Sequence, residues 1–256
     1  RAVGSSANCG AAVLALNATV AEQLNLFREE VDALIANGEA KERALFTVIK
    51  RYLKECRDIR FDGNGYSEEW QQEAERRGLD IETSVPVMID QYLREESVQM
   101  FGSTGVLNRA ELLARSEVKW ENYSMKLQIE SRVLGDLVIN HIIPAAKRYQ
   151  NVLLQKVVGV KQVFSESDAA ALNEQDMQLI RRIENHTGAI VAKVEKMNRE
   201  RAHANHIDNQ RERAITFHDK VVPLMENVRS HVDDLEMVID DQLWPLPKYR
   251  ELLFIH

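Results

Sequence analysis

The sequence has little that would interrupt a helix. Only 5 prolines and 11 glycines occur in 256 residues, and aromatic residues make up 6%. Ala, Leu, Glu, Lys and Arg are plentiful, a balance that favours long helices over sheets. Cysteine is nearly absent as well. Cys9 and Cys56 stand far apart with no paired spacing, which fits reduced thiols rather than a disulfide framework. No apolar run approaches the roughly 20 residues that span a bilayer. The first stretch lacks a basic segment followed by a long apolar one, so no signal peptide and a cytoplasmic setting are expected. Excess positive charge is missing too. At a formal charge of -7, the surface would not attract a phosphate backbone over a wide area, which disfavours nucleic acid as a partner.

Motifs of self-contained chemistry are also lacking. There is no nucleophile elbow, phosphate loop, paired-glycine nucleotide fingerprint, HExxH or zinc-type cysteine pattern. What is present is an ordinary globular mix, 45% apolar and 29% charged, with ample material for a core. Its apolar spacing is that of helices. From about 9 to 36, Val13, Leu16, Val20, Leu24, Phe27, Val31 and Leu34 step by threes and fours, predicting one amphipathic helix with these residues as its buried stripe. Asn37-Gly38 ends it. A second helix is predicted over about 40–58.

The turn FDGNGY follows, and Ser67 caps a short helix to about 77, with Glu68 and Glu69 in its first turn. Thr83 or Ser84 caps another, with Pro86 near its start, running to about 101–102. From 108 the pattern stays helical. One long segment reaches about 164, interrupted at most by Pro144. Ser167 opens a second, to about 206, and a third runs from about 209 to 243. Pro223 lies inside this last pattern and predicts a kink. The fold class is therefore all-α, with long antiparallel amphipathic helices making a bundle-like C-terminal module.

Three constellations could carry chemistry. Asp62, Asn64 and Glu73 fall at the first, third and twelfth positions of a calcium loop, but Ser67 occupies the sixth, where such a loop needs glycine. A plain turn and helix cap is the reading. Glu200, His203 and His206 share a helix face at zinc-ligand spacing, yet the polar run around them reads as a solvated helix end. Glu130, Arg132, Asp136, Asn140 and His141 punctuate an otherwise apolar helix. Asp136 and Asn140 share a face, and Asp136 can reach Arg132. Such groups must pair or face water, and the reading is a buried polar network that fixes helix register.

Longer stretches carry a resemblance. RAVGSSANCGAAVLAL is similar to the glutamine synthetase pattern in which an arginine, a short turn and Ser-Ala-Asn lead into an Ala-rich helix. FDGNGYSEEWQQEAERRGL, ESRVLGDLVINHIIPAAKRYQ and LEMVIDDQLWPLPKYRELLF resemble the type III glutamine synthetases, the large bacterial form. TSVPVMIDQYLREESVQMFGSTGV resembles the helix and turn before the last helix shared across the wider family. The resemblance implies that residues 1–107 are the terminal helices of the catalytic domain and 108–256 the helical domain peculiar to type III.

Further implications follow from the same resemblance. Arg1 matches the arginine of a Glu-x-Arg strand that faces glutamate and the transferred phosphoryl group. The metal-binding glutamate of that strand would stand two residues before Arg1, with the ATP and ammonium sites further upstream. The resemblance implies ATP and magnesium or manganese in the full-length enzyme, and no cofactor for these 256 residues alone. It implies as partners the remainder of the enzyme chain and further copies of it in a ring-like homo-oligomer, a dodecamer, with no nucleic acid and no membrane. The chain is expected to be inactive by itself. The alternative is a free-standing helical interaction module.

Overall fold

The computed structural model describes residues 8–248 and 251–253. Among the described residues every regular element is helical. The chain divides into two compact units, Arg1–Val118 and Lys119–His256.

The first unit holds α1 (Gly10–Ala36), α2 (Lys41–Glu55), α3 (Glu68–Arg76), α4 (Val85–Ile89), α5 (Glu95–Ser103) and the beginning of α6 (Arg109–Leu137). Its turns follow the predicted chemistry. Gly38 and Gly78 adopt φ of 93° and 74°, the left-handed conformation that ends a helix without a Cβ clash. The Ser67 hydroxyl accepts from Trp70 N at 3.3 Å and caps α3. The segment expected as one helix over 83–102 is broken instead. A 3-10 turn at Asp90–Leu93 and an extended Arg94 separate α4 from α5.

Two small cores organise this unit. Val31, Ala44 and Val48 join α1 to α2, with Phe27, Leu34 and Tyr52 around them. Ala18, Phe101, Leu107 and Leu112 form the other, with Leu14 and Ala15 packed against them. The predicted stripe of α1 holds at Phe27, Val31 and Leu34 and is corrected in its first half. Val13, Leu16, Val20 and Leu24 are exposed in this chain. The first half of α1 turns its smaller residues, Ala15 and Ala18, toward α5, because an Ala-lined face lets two helices approach closely. Leu14 joins them, and Val13, Leu16, Val20 and Leu24 are left on other sides.

The second unit is the expected bundle of three long helical stretches. The first joins α6 to α7 (Ile143–Val163), the second is α8 (Glu166–Asn205), and the third joins α9 (Gln210–Thr216) to α10 (Val222–Glu236). Ser165, not Ser167, caps α8, accepting from Asp168 N. The third stretch ends at Glu236 rather than 243, giving way to turns.

Polar bonds fix the antiparallel sense. Gln150 Nε2 donates to Ile180 O at 3.2 Å, and Asn173 Nδ2 donates to Val157 O at 3.2 Å, so numbers rise along α7 as they fall along α8. Lys193–Asn227 and Arg182–Asp234 run the same way between α8 and α10. The core between them holds Val138, Ile142, Ile183, Ile190, Met197, Phe217, Val221, Val228 and Leu235. Buried Ser124 and Ser131 donate to Trp120 O and Gln128 O of their own helix, so neither hydroxyl is left unsatisfied.

Neither internal proline breaks its stretch. A π turn at Val138–Ile142 precedes Pro144, and another at Phe217–Val221 precedes Pro223. In both, the residue before proline donates five residues back, Ile143 N to Val138 O and Val222 N to Phe217 O. The wider turn accommodates a ring that would otherwise press on the carbonyl four residues earlier. The disturbance expected at Pro223 takes this form, and Pro144 shares it.

Two outcomes test this packing. Ile190 is wholly buried, so Ile190→Ala should cost about 2–5 kcal/mol in urea unfolding, whereas exposed Val133→Ala should stay within about 0.5 kcal/mol. The bond from Lys147, helped by Gln150, holds the Glu184 carboxyl below the ordinary carboxylate range. A lowered folded-state value means stability present above the ordinary pKa and lost as pH falls through the folded one. Wild type should therefore lose more stability than Glu184→Gln between about pH 5 and pH 3. The difference should be small, because the Lys147–Glu184 pair is about half exposed.

Candidate functional site

Arg1, the residue tied by resemblance to phosphoryl transfer, lies outside the described residues. The remaining sequence candidates can be placed.

The turn after α2 is not built as a calcium cradle. Asn64 Oδ1 accepts from Tyr66 N at 3.1 Å, closing a tight turn. Phe61 stacks on Trp70 with ring centroids 3.8 Å apart. Glu73 receives bonds from Arg76 Nε at 2.7 Å and Arg77 Nε at 2.6 Å. These bonds hold its carboxyl below the usual range and engage both its oxygens with arginine. His203 and His206 are exposed at the end of α8, where His206 Nδ1 contacts Ala202 O at 2.6 Å. Glu200 is half-buried, and these three side chains do not gather around a common point.

The polar run on α6 and the following π turn is not a buried network. Glu130, Arg132, Asp136, Asn140 and His141 are all exposed in this chain. Asn140 Nδ2 donates to Asp136 Oδ1 at 2.6 Å, one turn apart as the spacing predicts. No bond joins Arg132 to Asp136. The reason is the helix register. Ser131, Val138 and Ile142 take the inward face, and the charged residues between them point to water. Weak fields still reach the interior. Burial and then Arg132 push the Arg201 guanidinium down. Burial, with lesser help from Asp219 and Glu130, pushes the Tyr123 hydroxyl up.

Sequence reasoning passed over the most concentrated set of ligand-type groups. His186 on α8 faces His231 and Asp234 on α10. The two Nδ1 atoms stand 3.1 Å apart, and His186 Nδ1 lies 3.8 Å from Asp234 Oδ2. The rings meet edge to face, 68° apart, with centroids at 5.2 Å. All three side chains are half-buried, and one donor atom from each lies within 4.8 Å of the other two. Among the described residues this is the one such group of three. Burial, then the neighbouring His186 and Lys193, push the His231 imidazole below its ordinary value, against a smaller opposing pull from Asp234. His231 and Asp234 stand three apart on one helix face, a local signal that could have been read. His186 is 45 residues away, and no local pattern marks it.

With the geometry in view, the chain can be set beside the known proteins it resembles. Residues 44–161 match the glutamine synthetase C-terminal domain. Over 254 residues the chain is 47% identical to a glutamine synthetase of Bacteroides fragilis (strain YCH46), covering 99% of this chain and 35% of that protein. It is 29% identical over 256 residues to the type-3 glutamine synthetase of Dictyostelium discoideum, covering 100% of this chain and 35% of that one. A glutamine synthetase of Butyrivibrio fibrisolvens is 24% identical over 218 residues, covering 31% of its length. The chain thus spans about a third of the length of the curated relatives it matches. It is similar to the C-terminal part of the glutamine synthetases, and its similarity to the type-3 relative runs from end to end.

The exposed Asp136–Asn140 pair gives a direct check. Asp136→Ala should change unfolding stability by no more than about 0.5 kcal/mol, the range of an exposed substitution. A loss of about 1–3 kcal/mol would instead mean that Asp136 has a buried partner left stranded.

Proposed function

We propose that this chain works as the C-terminal part of a type III glutamine synthetase, which joins ammonia to glutamate with ATP in the cytoplasm. The observation that carries the reading is coverage. Two glutamine synthetases align with 99% and 100% of this chain while it accounts for 35% of each. Residues 1–107 would close the catalytic domain, and 108–256 would form the helical domain of the type III form.

In the proposed reaction a carboxylate oxygen of the glutamate side chain attacks the γ-phosphorus of ATP, and ADP leaves. Ammonia then attacks the acyl carbon, phosphate leaves with the C–O electron pair, and a proton is lost from nitrogen. Negative charge spreads over the phosphoryl oxygens as the first bond changes hands. Arg1 would meet that charge with two parallel N–H donors, a geometry that suits phosphate.

ATP would arrive with magnesium or manganese, which neutralises phosphate charge when bound. Magnesium takes oxygen ligands in octahedral array. The one three-residue donor set among the described residues is two-thirds imidazole, so no step of this reaction is assigned to a metal held by these residues. The bundle is proposed to be structural, supporting a ring-like homo-oligomer, as large as a dodecamer. Support comes from the apolar row Met125, Ile129 and Val133 that α6 leaves uncovered in this chain; α1 of the first unit carries a second such row, Val13, Leu16, Val20 and Leu24. Those same rows favour the second reading, a free-standing helical interaction module.

An assay with ATP, glutamate, ammonium and magnesium separates the two. This chain alone should form no glutamine, whereas the same chain carried within a protein of its relatives' length should. In that longer protein Arg1→Ala should lower turnover about 100- to 1000-fold without loss of folding. Near-normal turnover would remove Arg1 from the chemistry, and an inactive longer protein would favour the interaction module.

A further inference from the structure

We propose that His186, His231 and Asp234 form a binding site for a divalent transition metal of the zinc class, clamping α8 to α10. The spacing of the donors is the first argument. An ion with four ligands at about 2.0–2.1 Å in tetrahedral array sets neighbouring donors about 3.3–3.4 Å apart. The observed separations of 3.1 Å between the two Nδ1 atoms and 3.8 Å from His186 Nδ1 to Asp234 Oδ2 bracket that value. The third pair, on α10, is held near by its spacing of three residues, which puts both side chains on one helix face. Three protein ligands leave a fourth position for water.

The chemistry of the donors selects the ion. Two imidazoles and one carboxylate suit zinc, cobalt or nickel, whereas magnesium and calcium prefer all-oxygen surroundings. In the absence of an ion, two Nδ1 atoms in contact can share only one proton, one donating and the other accepting. Direct contact between like atoms is thus a feature that a shared cation explains at both ends. The edge-to-face ring arrangement is compatible with both Nδ1 lone pairs converging on one point, as two stacked rings would not be.

The surroundings are those of a built site. Ile183 and Ile190 flank His186 on α8, and Val228, Val232 and Leu235 surround His231 and Asp234 on α10; all five are buried. Ligands fixed to packed helices need little reorganisation. Arg182 Nη2 lies 3.8 Å from Asp234 Oδ1. It can orient the carboxylate through one oxygen and leave Oδ2 to the metal, the usual role of an outer partner. Lys193 is the adverse charge. Its field reaches His231, while its ammonium donates to Asn227 Oδ1 at 3.3 Å. The ion would join two helices across a seam, so binding would add to the stability of the bundle by mass action.

The test uses the whole chain, stripped of metal by a chelator and then removed from it. Zinc chloride should bind with one-to-one stoichiometry in a calorimetric titration and raise the melting temperature, while magnesium chloride should do neither. Cobalt chloride should give visible absorption bands of a tetrahedral ion. His186→Asn and His231→Gln should each abolish the cobalt bands and weaken zinc binding by roughly ten-fold or more. Asp234→Asn should weaken it less. A His203→Ala/His206→Ala variant, which alters exposed histidines outside the seam, should bind as wild type does. Failure of wild type to bind zinc or cobalt would overturn the proposal, as would binding that survives both seam histidine variants. Loss of binding in the His203/His206 variant would do the same. Should a seam variant not fold, the wild-type cobalt spectrum and the His203/His206 variant still decide the matter.

Discussion

The bundle depends on one constraint: α8 must bury apolar residues along about 60 Å of helix, against partners on two sides. Its buried residues, from Ala169 through Asn173, Ile180, Ile183, Thr187, Ile190, Val194 and Met197 to Ala204, recur at helical spacing over nearly its full length. A single stripe of that length is too long for one short partner. It takes α7 on one flank and α10 on the other, and the polar contacts record both: Gln150 and Asn173 on the first, His186, Arg182 and Lys193 on the second. Isolated helices gain little from propensity alone. The order of α7 and α10 therefore follows from their docking on α8 more than from their own sequences.

The two prolines show how such a bundle tolerates a local fault. Proline within a helix removes one donor and presses its ring on the carbonyl four residues back. Both long stretches meet this with the same device, a π turn begun six residues before the proline. The extra residue in the turn also shifts the register of everything after it. Val138 and Ile142 remain inward through one π turn, as do Phe217 and Val221 through the other. The insertion keeps the apolar face on α8 where an unadjusted helix would carry its stripe past it. Large buried residues sit within both turns, so their cost is offset by packing at the same place.

Much of this was legible in the sequence. Helix existence and type follow from spacing and from the scarcity of breakers, and the ends at Gly38, Ser67 and Gly78 follow from turn chemistry that acts locally. Facing was less legible. On α1 large apolar residues occur on more than one side, and periodicity alone does not say which side a neighbour will take. Here α5 met the alanines. The run from Glu130 to His141 was misjudged for the related reason that a charge within an apolar helix has two remedies, a partner or water. The register set by Ser131, Val138 and Ile142 chose water for all five. The cap at Ser165 was missed because Ser165 and Ser167 both precede acidic residues, and only the backbone distinguishes them.

The histidine seam lies at the far end of that scale. A helix displays its own ligand pairs through three- and four-residue spacing, so His231 and Asp234 were visible in principle. A site that also needs a residue from another helix exists only once the two helices have a fixed register, and that register is set by Ile183, Ile190, Val228 and Leu235, none of which carries chemistry. The chemistry drawn from family resemblance has the opposite character. It attaches to Arg1 through a motif and owes nothing to the packing described here. One kind of site is read from motif without geometry, the other from geometry without motif. In a protein whose helices are this regular, polar groups that converge from two of them are held there by the same apolar contacts that make the fold.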